Sequence, residues 1–208
     1  MTGSAMSSRS PGPSASSRSD ATRARLLDAA TAEFAAKGFH GTTTRDIAGA
    51  AGMSPAALYV HHRSKEDLLF AICRIGHQHF LDLVRDAARA ATDPTARLRE
   101  IARAFARNHA VEHTLARIVN YELGALSPEH HEEVLRIRLA IEDEVRTVVE
   151  AGATEGAFDV PDTGVVTTAI LSLGIDIARW YREDGHWDPD RIADWYADLT
   201  LRLVGARP

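Results

Sequence analysis

A single cysteine, Cys73, stands in the 208 residues, so no disulfide can form within the chain and a reducing compartment is expected. No apolar run reaches the ~18 residues that a membrane span needs. Residues 1–19, MTGSAMSSRSPGPSASSRS, lack the apolar middle of a secretory signal. A cytoplasmic protein without membrane contact is therefore expected. Strand signals are scarce. Neither Ser172 nor Cys73 sits in a nucleophile elbow, and no glycine-rich phosphate loop occurs, so neither an enzyme nor a cofactor is expected. The net charge of −5 argues against a molecule that binds polyanions over its whole surface.

That charge is uneven. Residues 1–65 hold eight Arg and Lys against four Asp and Glu, which leaves −9 on residues 66–208. A basic first third is compatible with nucleic-acid contact by that part alone. Residues 1–19 are rich in Ser, Pro and Gly with almost nothing to bury, which reads as a disordered tail.

Helix signals dominate the rest. Ser19 or Asp20 can cap a first helix carrying Leu26, Leu27, Ala30 and Phe34 at 3.6-residue spacing, with Gly38 past its end. Four later starts share one grammar, a capping residue followed by proline: Ser54-Pro55, Asp93-Pro94, Ser127-Pro128 and Asp188-Pro189. Ser64 with Asp67 has the form of a capping box. Nine helices are expected, over 20–37, 44–51, 55–61, 65–91, 94–111, 113–125, 128–151, 162–184 and 189–205, and the fold class is all-α.

The stretch GMSPAALYVHHRSKEDLL, residues 52–69, is unusual. Its helix is too short to stand alone in water, yet polar groups surround it. A short helix, a turn at Gly52 and a second short helix from Ser54 form a helix-turn-helix whose front is left for a partner. Thr43, Thr44 and Arg45 open the preceding helix, where free N–H groups favour phosphate, and Lys65 opens the following one.

TTTRDIAGAAGMSPAALYVHHRSKEDLL, with LLDAATAEFAAKGF upstream, resembles the DNA-binding domain of the TetR/AcrR family of transcriptional repressors. The pattern covers about residues 22–72. It departs from the family at Ala56, where glycine is common, and at His62, where an aromatic is usual. The resemblance implies phosphate and adjacent base contacts by Thr43, Thr44 and Arg45. Ser54, Pro55, Ala57, Tyr59 and His61 would face the major groove or its edge, and Lys65 would bind phosphate. It also implies a division into a tail (1–19), a helix-turn-helix domain (20–66) and a ligand-binding and dimerisation domain (67–208). The partners expected are a palindromic double-stranded operator, a second copy of the chain and a small effector.

Independent signs of a dimer lie in the last two helices, which are apolar over more of their circumference than a surface helix needs. Leu171, Ile175, Trp195, Leu199 and Leu203 are assigned to the dimer interface. For ligand binding, polar residues on apolar backgrounds in the middle helices stand out. The candidates are Phe105, His109, His113, Arg117, Asn120, Tyr121, Arg138 and Trp180. NYELGALSPEHHEEVLRIR and ARWYREDGHWDPDRIADWYADL are similar to a subgroup of these repressors that answers to acyl-CoA thioesters in sterol and fatty-acid catabolism. That likeness implies an acyl-CoA effector with Arg117, Arg136 or Arg138 near its phosphates, against another hydrophobic ligand. The pairs His109/His113 and His77/His79 lack a third ligand nearby in sequence, so no metal is expected. The rival reading is a helical bundle that senses a small molecule or metal without touching DNA.

Overall fold

A computed structural model describes residues 15–206, and the expected tail over residues 1–14 lies outside them. Among the described residues are nine α-helices and no strand: α1 (Ala15–Gly41), α2 (Thr44–Ala50), α3 (Pro55–His61), α4 (Lys65–Arg89), α5 (Pro94–Val111), α6 (His113–Tyr121), α7 (Pro128–Thr154), α8 (Thr163–Trp180) and α9 (Pro189–Leu203). The capping grammar holds at every proline start. Ser54, Asp93, Ser127 and Asp188 each accept a backbone N–H from the first turn of the helix they open. Ser64 caps α4 in the same way, but Asp67 turns its carboxylate to His62 and the Arg63 N–H, so the box is one-sided.

Four helices, α1, α6, α7 and α8, begin or end three or more residues from where the sequence reading puts them. α1 begins at Ala15, so residues 15–19 are helical and not part of a tail; near its end Gly38 (φ 71°) breaks the helical path. α6 stops at Tyr121 and passes into a single 3₁₀ turn, Leu123–Ala125. α8 ends at Trp180 because Tyr181 is extended, and the Arg182 guanidinium donates to the carbonyls of Arg179 and Tyr181 at that end. α7 runs past Gly152 to Thr154, and its stop is Gly156 (φ 74°). Gly152 serves a different purpose: a Cβ there would lie 2.1 Å from the Phe158 ring, so only glycine lets that ring seal the end of α7.

One apolar core extends from Leu26, Phe34, Ile47 and Leu58 at the N-terminal end through α4 to Val145, Ile170 and Val204. The first three helices and the larger bundle are thus joined through α4. α5 and α9 approach over small residues, with Ala102, Ala106, Ala193 and Ala197 all buried. Three ion pairs line the outside of that seam at four-residue spacing on both helices. Arg99–Asp198 and Arg103–Asp194 measure 2.7 Å, and Arg107–Asp190 measures 2.6 Å.

Gly152→Ala is expected to destabilise the fold by about 1–3 kcal/mol through overpacking against Phe158. Adding Phe158→Leu to that variant should recover part of the loss. Urea denaturation of the three proteins decides it, and an unchanged midpoint in Gly152→Ala would remove the close-approach role.

Candidate nucleic-acid interface and ligand cavity

α3 buries one large side chain, Leu58, in the core that also holds Ile47 and Leu26, and leaves its front to solvent. Tyr59 is 52% exposed and Val60 80%, while Pro55 and Ala56 are exposed at the helix start. Between α2 and α3 lies an open hollow of ≈ 400 Å³ lined by Thr43, Thr44, Arg45, Pro55 and Tyr59. The Thr44 and Tyr59 hydroxyls meet there at 3.2 Å. The hollow gathers Arg45 and the hydroxyls of Thr44 and Tyr59, an arrangement that suits a backbone phosphate.

Three of the nine expected contact residues already hold the fold. Thr43 caps α2 in a reciprocal box, its hydroxyl donating to Asp46 Oδ2 and accepting from the Asp46 N–H. Those bonds hold the exposed Asp46 carboxyl below its usual range. Ser54 accepts from the Ala57 N–H. Lys65 points inward: its ammonium donates to the carbonyls of Phe39 (2.6 Å) and Thr42 (2.7 Å) and lies 4.2 Å from the centre of the Phe39 ring. Two of its three donors are spent on the chain, so Lys65 holds the fold and keeps one donor for a partner. Ala57 is half-buried, and His61 lies apart from the hollow, in a groove with Arg23, Arg74 and Ile75. His62, in the position where an aromatic is usual, pairs with Asp67 at 3.2 Å, and burial lowers its pKa against that partner's pull.

A second concavity, of ≈ 290 Å³, opens between α4, α5, α7 and α8. Phe80, Phe105, Leu171, Ile175 and Ile141 supply apolar wall, Leu135 and Leu139 on its lining are exposed, and Glu142, Thr168 and Ser172 also line it. Its polar groups form a small network. His77 donates through Nδ1 to the Cys73 carbonyl (2.8 Å), so its Nε2 accepts, and Arg138 donates to that atom at 3.0 Å and to Asn120 Oδ1 at 2.9 Å. Half-buried Arg138 has no carboxylate within ion-pair distance among the described residues, and desolvation lowers its pKa. His109 donates through Nδ1 to the Phe105 carbonyl (2.9 Å), and its ring stacks on Phe80 at 4.4 Å. Burial first of all pushes both imidazoles down to about 4, with Arg138 adding to the shift, so both are neutral at physiological pH.

Of the expected ligand residues, Phe105, His109, Asn120 and Arg138 meet in this cavity. The other four do not. His113 packs edge-on against Tyr181, and Tyr121 reaches Asp176 at 3.5 Å. Trp180 belongs to an aromatic groove with Trp187, Trp195 and Tyr196, while Arg117 lies off the cavity wall, as does exposed Arg136. The dimer set is divided too. Trp195 (42% exposed), Leu199 (49%) and Leu203 (41%) make an outward apolar stripe on α9, whereas Leu171 and Ile175 are turned to the cavity wall. Outward positions on α8 are held by Val165 and Leu173. His77 was passed over as a ligand residue; its signal was a polar residue one turn after Cys73 on the apolar stripe of α4.

Residues 26–72 match the family of bacterial regulatory proteins, tetR family, and residues 91–204 match the tetracyclin repressor-like C-terminal domain. The chain is similar to a bacterial regulatory protein in the tetR family from Rhodococcus RHA1. Its crystal structure is 40% identical, with TM-score 0.86, over 90% of this chain and 98% of that one. Similarity extends to the HTH-type transcriptional repressor KstR2 of Mycobacterium tuberculosis, 30% identical over 187 residues, or 86% of this chain and 90% of that protein. The fold is shared with AibR in complex with isovaleryl coenzyme A and operator DNA, at 24% identity and TM-score 0.81 over 89% of this chain and all of that one.

Two expectations follow from the geometry. Arg45→Ala should weaken DNA binding to all sequences alike and reduce the log–log salt slope by about one phosphate equivalent. Lys65→Ala should instead lower thermal stability as well, because two carbonyls lose their donor; a Lys65→Ala protein as stable as the parent would return Lys65 to a pure phosphate role. The two neutral histidines set a pH dependence. Their folded pKa values lie below the 6.5 of the free group, so the unfolded chain takes up protons first and stability falls as pH drops from about 6.5 towards 4. Urea midpoints across that range should decline, and less steeply in His109→Phe.

Proposed function

Because this chain belongs to the tetR family of bacterial regulatory proteins, and so is a DNA-binding transcriptional regulator and not an enzyme, we propose that it is a cytoplasmic, homodimeric repressor released from a palindromic operator by an acyl-CoA thioester. Residues 20–66 serve as the reading head and 67–208 as the effector and dimer body. α3 enters the major groove with Pro55, Ala57 and Tyr59 forward. Thr44 and Arg45 take the flanking phosphate, joined by Thr43 and the remaining donor of Lys65, while Ser54 and His61 face the edge of the groove. The α9 stripe of Trp195, Leu199 and Leu203, with Val165 and Leu173 of α8, pairs with its own copy.

The observation that carries this reading is that one helix touches both sites. At its first residue α4 holds the head through Lys65, and twelve residues on, His77 forms part of the cavity and receives Arg138 from α7. An effector that recruits Arg138 removes a tie between α4 and α7 and changes the angle at which Lys65 presents the head. DNA and effector then bias one equilibrium, and each weakens the other by the same factor.

The cavity is near the lower end of the ~300–1,000 Å³ typical of small-molecule sites, so it encloses an acyl group and leaves the nucleotide outside the mouth. Similarity to a repressor named KstR2 and a fold that holds isovaleryl coenzyme A and operator DNA in AibR support this choice. Native mass spectrometry followed by a gel shift on the upstream DNA, with a panel of acyl-CoA thioesters, tests it. A dimer released by a thioester and not by free CoA is expected, with release lost in Arg138→Met. A dimer that binds DNA and ignores every thioester would remove the acyl-CoA effector and keep the repressor.

A further inference from the structure

His77 and His109 are built alike. Each lies on the apolar stripe of its helix, donates through Nδ1 to the carbonyl four residues back, and so presents a bare Nε2 lone pair. In His77 that lone pair is filled by Arg138. In His109 it has no partner among the described residues, although the residue is only 1% exposed and forms part of the cavity wall. The ring cannot turn away to find a partner. Its Nδ1 is fixed to Phe105, and its faces are held by Phe80 at 4.4 Å and Phe105 at 4.3 Å. With Nδ1 bound back to α5, Nε2 is the distal atom, sealed from solvent behind the cavity wall, and an occupant reaches it by displacing that wall.

A buried acceptor without a donor is costly, and a ligand that supplies the donor recovers that cost while a hydrocarbon does not. The imidazole stays neutral, so it cannot reverse roles and donate. Glu142 also lines the space, but its carboxylate lies 3.8 Å from the Arg146 guanidinium, and the charge felt at His109 is that of Arg138, so an ammonium group is a poor occupant there. A neutral donor is left.

We propose that the effector carries a hydroxyl group within its acyl portion, donated to His109 Nε2, while an oxygen acceptor of the same molecule, such as the acyl carbonyl, meets Arg138. This rests on the acyl-CoA reading for the identity of the ligand and not for the requirement of a donor. His109 is then the residue that separates hydroxylated acyl groups from plain ones.

The test is calorimetric binding of octanoyl-CoA and a series in which one hydroxyl is walked along the octanoyl chain, with the matching free acids in parallel. At one hydroxyl position the parent protein should bind about tenfold more tightly than it binds octanoyl-CoA. His109→Phe, which keeps the ring stack and removes the acceptor, should lose that preference and bind octanoyl-CoA at least as well. His109→Gln, which retains an acceptor, should keep part of it. Circular dichroism and operator binding of both variants show that they fold. No gain at any hydroxyl position, or a gain that survives in His109→Phe, would overturn the inference. Should the thioesters fail while the free acids show a His109-dependent preference, the hydroxyl requirement stands and the CoA part of the earlier reading falls. Binding by neither series overturns both.

Discussion

The ammonium of Lys65 fills a place where the chain has made its own carbonyls hard to satisfy. Gly38 breaks α1, and the corner that follows must turn sharply into α2. The buried Thr42 hydroxyl bonds back to Gly38 and Glu33, the Phe39 N–H faces Glu122 at 3.5 Å, and Lys65 closes on the carbonyls of Phe39 and Thr42. Two of these partners come from outside the first three helices, Lys65 from α4 and Glu122 from the end of α6. The head is therefore not an independent bead on a string. Its orientation is set by groups that belong to the body.

α4 and α7 are fastened to each other at three heights, the farthest from the head by the Arg85–Glu144 ion pair at 2.6 Å. Near the head, Glu66 accepts from the Ser127 N–H and bonds His130, whose ring stacks on Phe70 at 3.8 Å. Further along, Arg138 bridges to His77 and to Asn120 of α6. The fastening near the head and the one farthest from it each give a carboxylate a close partner. The middle one is a guanidinium with neutral partners only, inside a concavity. On the proposed reading, an exchangeable contact between two firm ones is where an occupant of the cavity would shift α4 against α7.

The sequence discloses what depends on neighbours along the chain and withholds what depends on helical phase in space. Cap-proline pairs, the turn at Gly52 and the slim α3 are all local, and their positions were legible. Phe105, His109, Asn120 and Arg138 were legible as polar or aromatic interruptions of apolar stripes. His113, Arg117 and Tyr121 carry the same signal, but α6 is short and turns them towards Tyr181, Asp176 or solvent. Nothing along the chain distinguishes the two groups. Leu171 and Ile175 show the same limit from the other direction: an apolar residue on an over-apolar helix can face a cavity or a second subunit, and only the packing of α5 and α7 against α8 decides. Lys65 looked like a surface cation because the carbonyls that claim it lie 26 and 23 residues earlier.

The ladder of Arg99, Arg103 and Arg107 against Asp198, Asp194 and Asp190 has a bearing on how ionic strength acts on this molecule. These half-exposed pairs join α5, a wall of the cavity, to α9, the helix with the outward Trp195 stripe. Added salt screens such pairs over roughly the same range in which it displaces cations from a duplex. A rise in salt therefore loosens the seam behind the α4–α5–α7–α8 cavity while it weakens any grip on phosphate. A change of ionic strength would reach the operator by two routes at once, one through the nucleic acid's ion atmosphere and one through the protein's own scaffold.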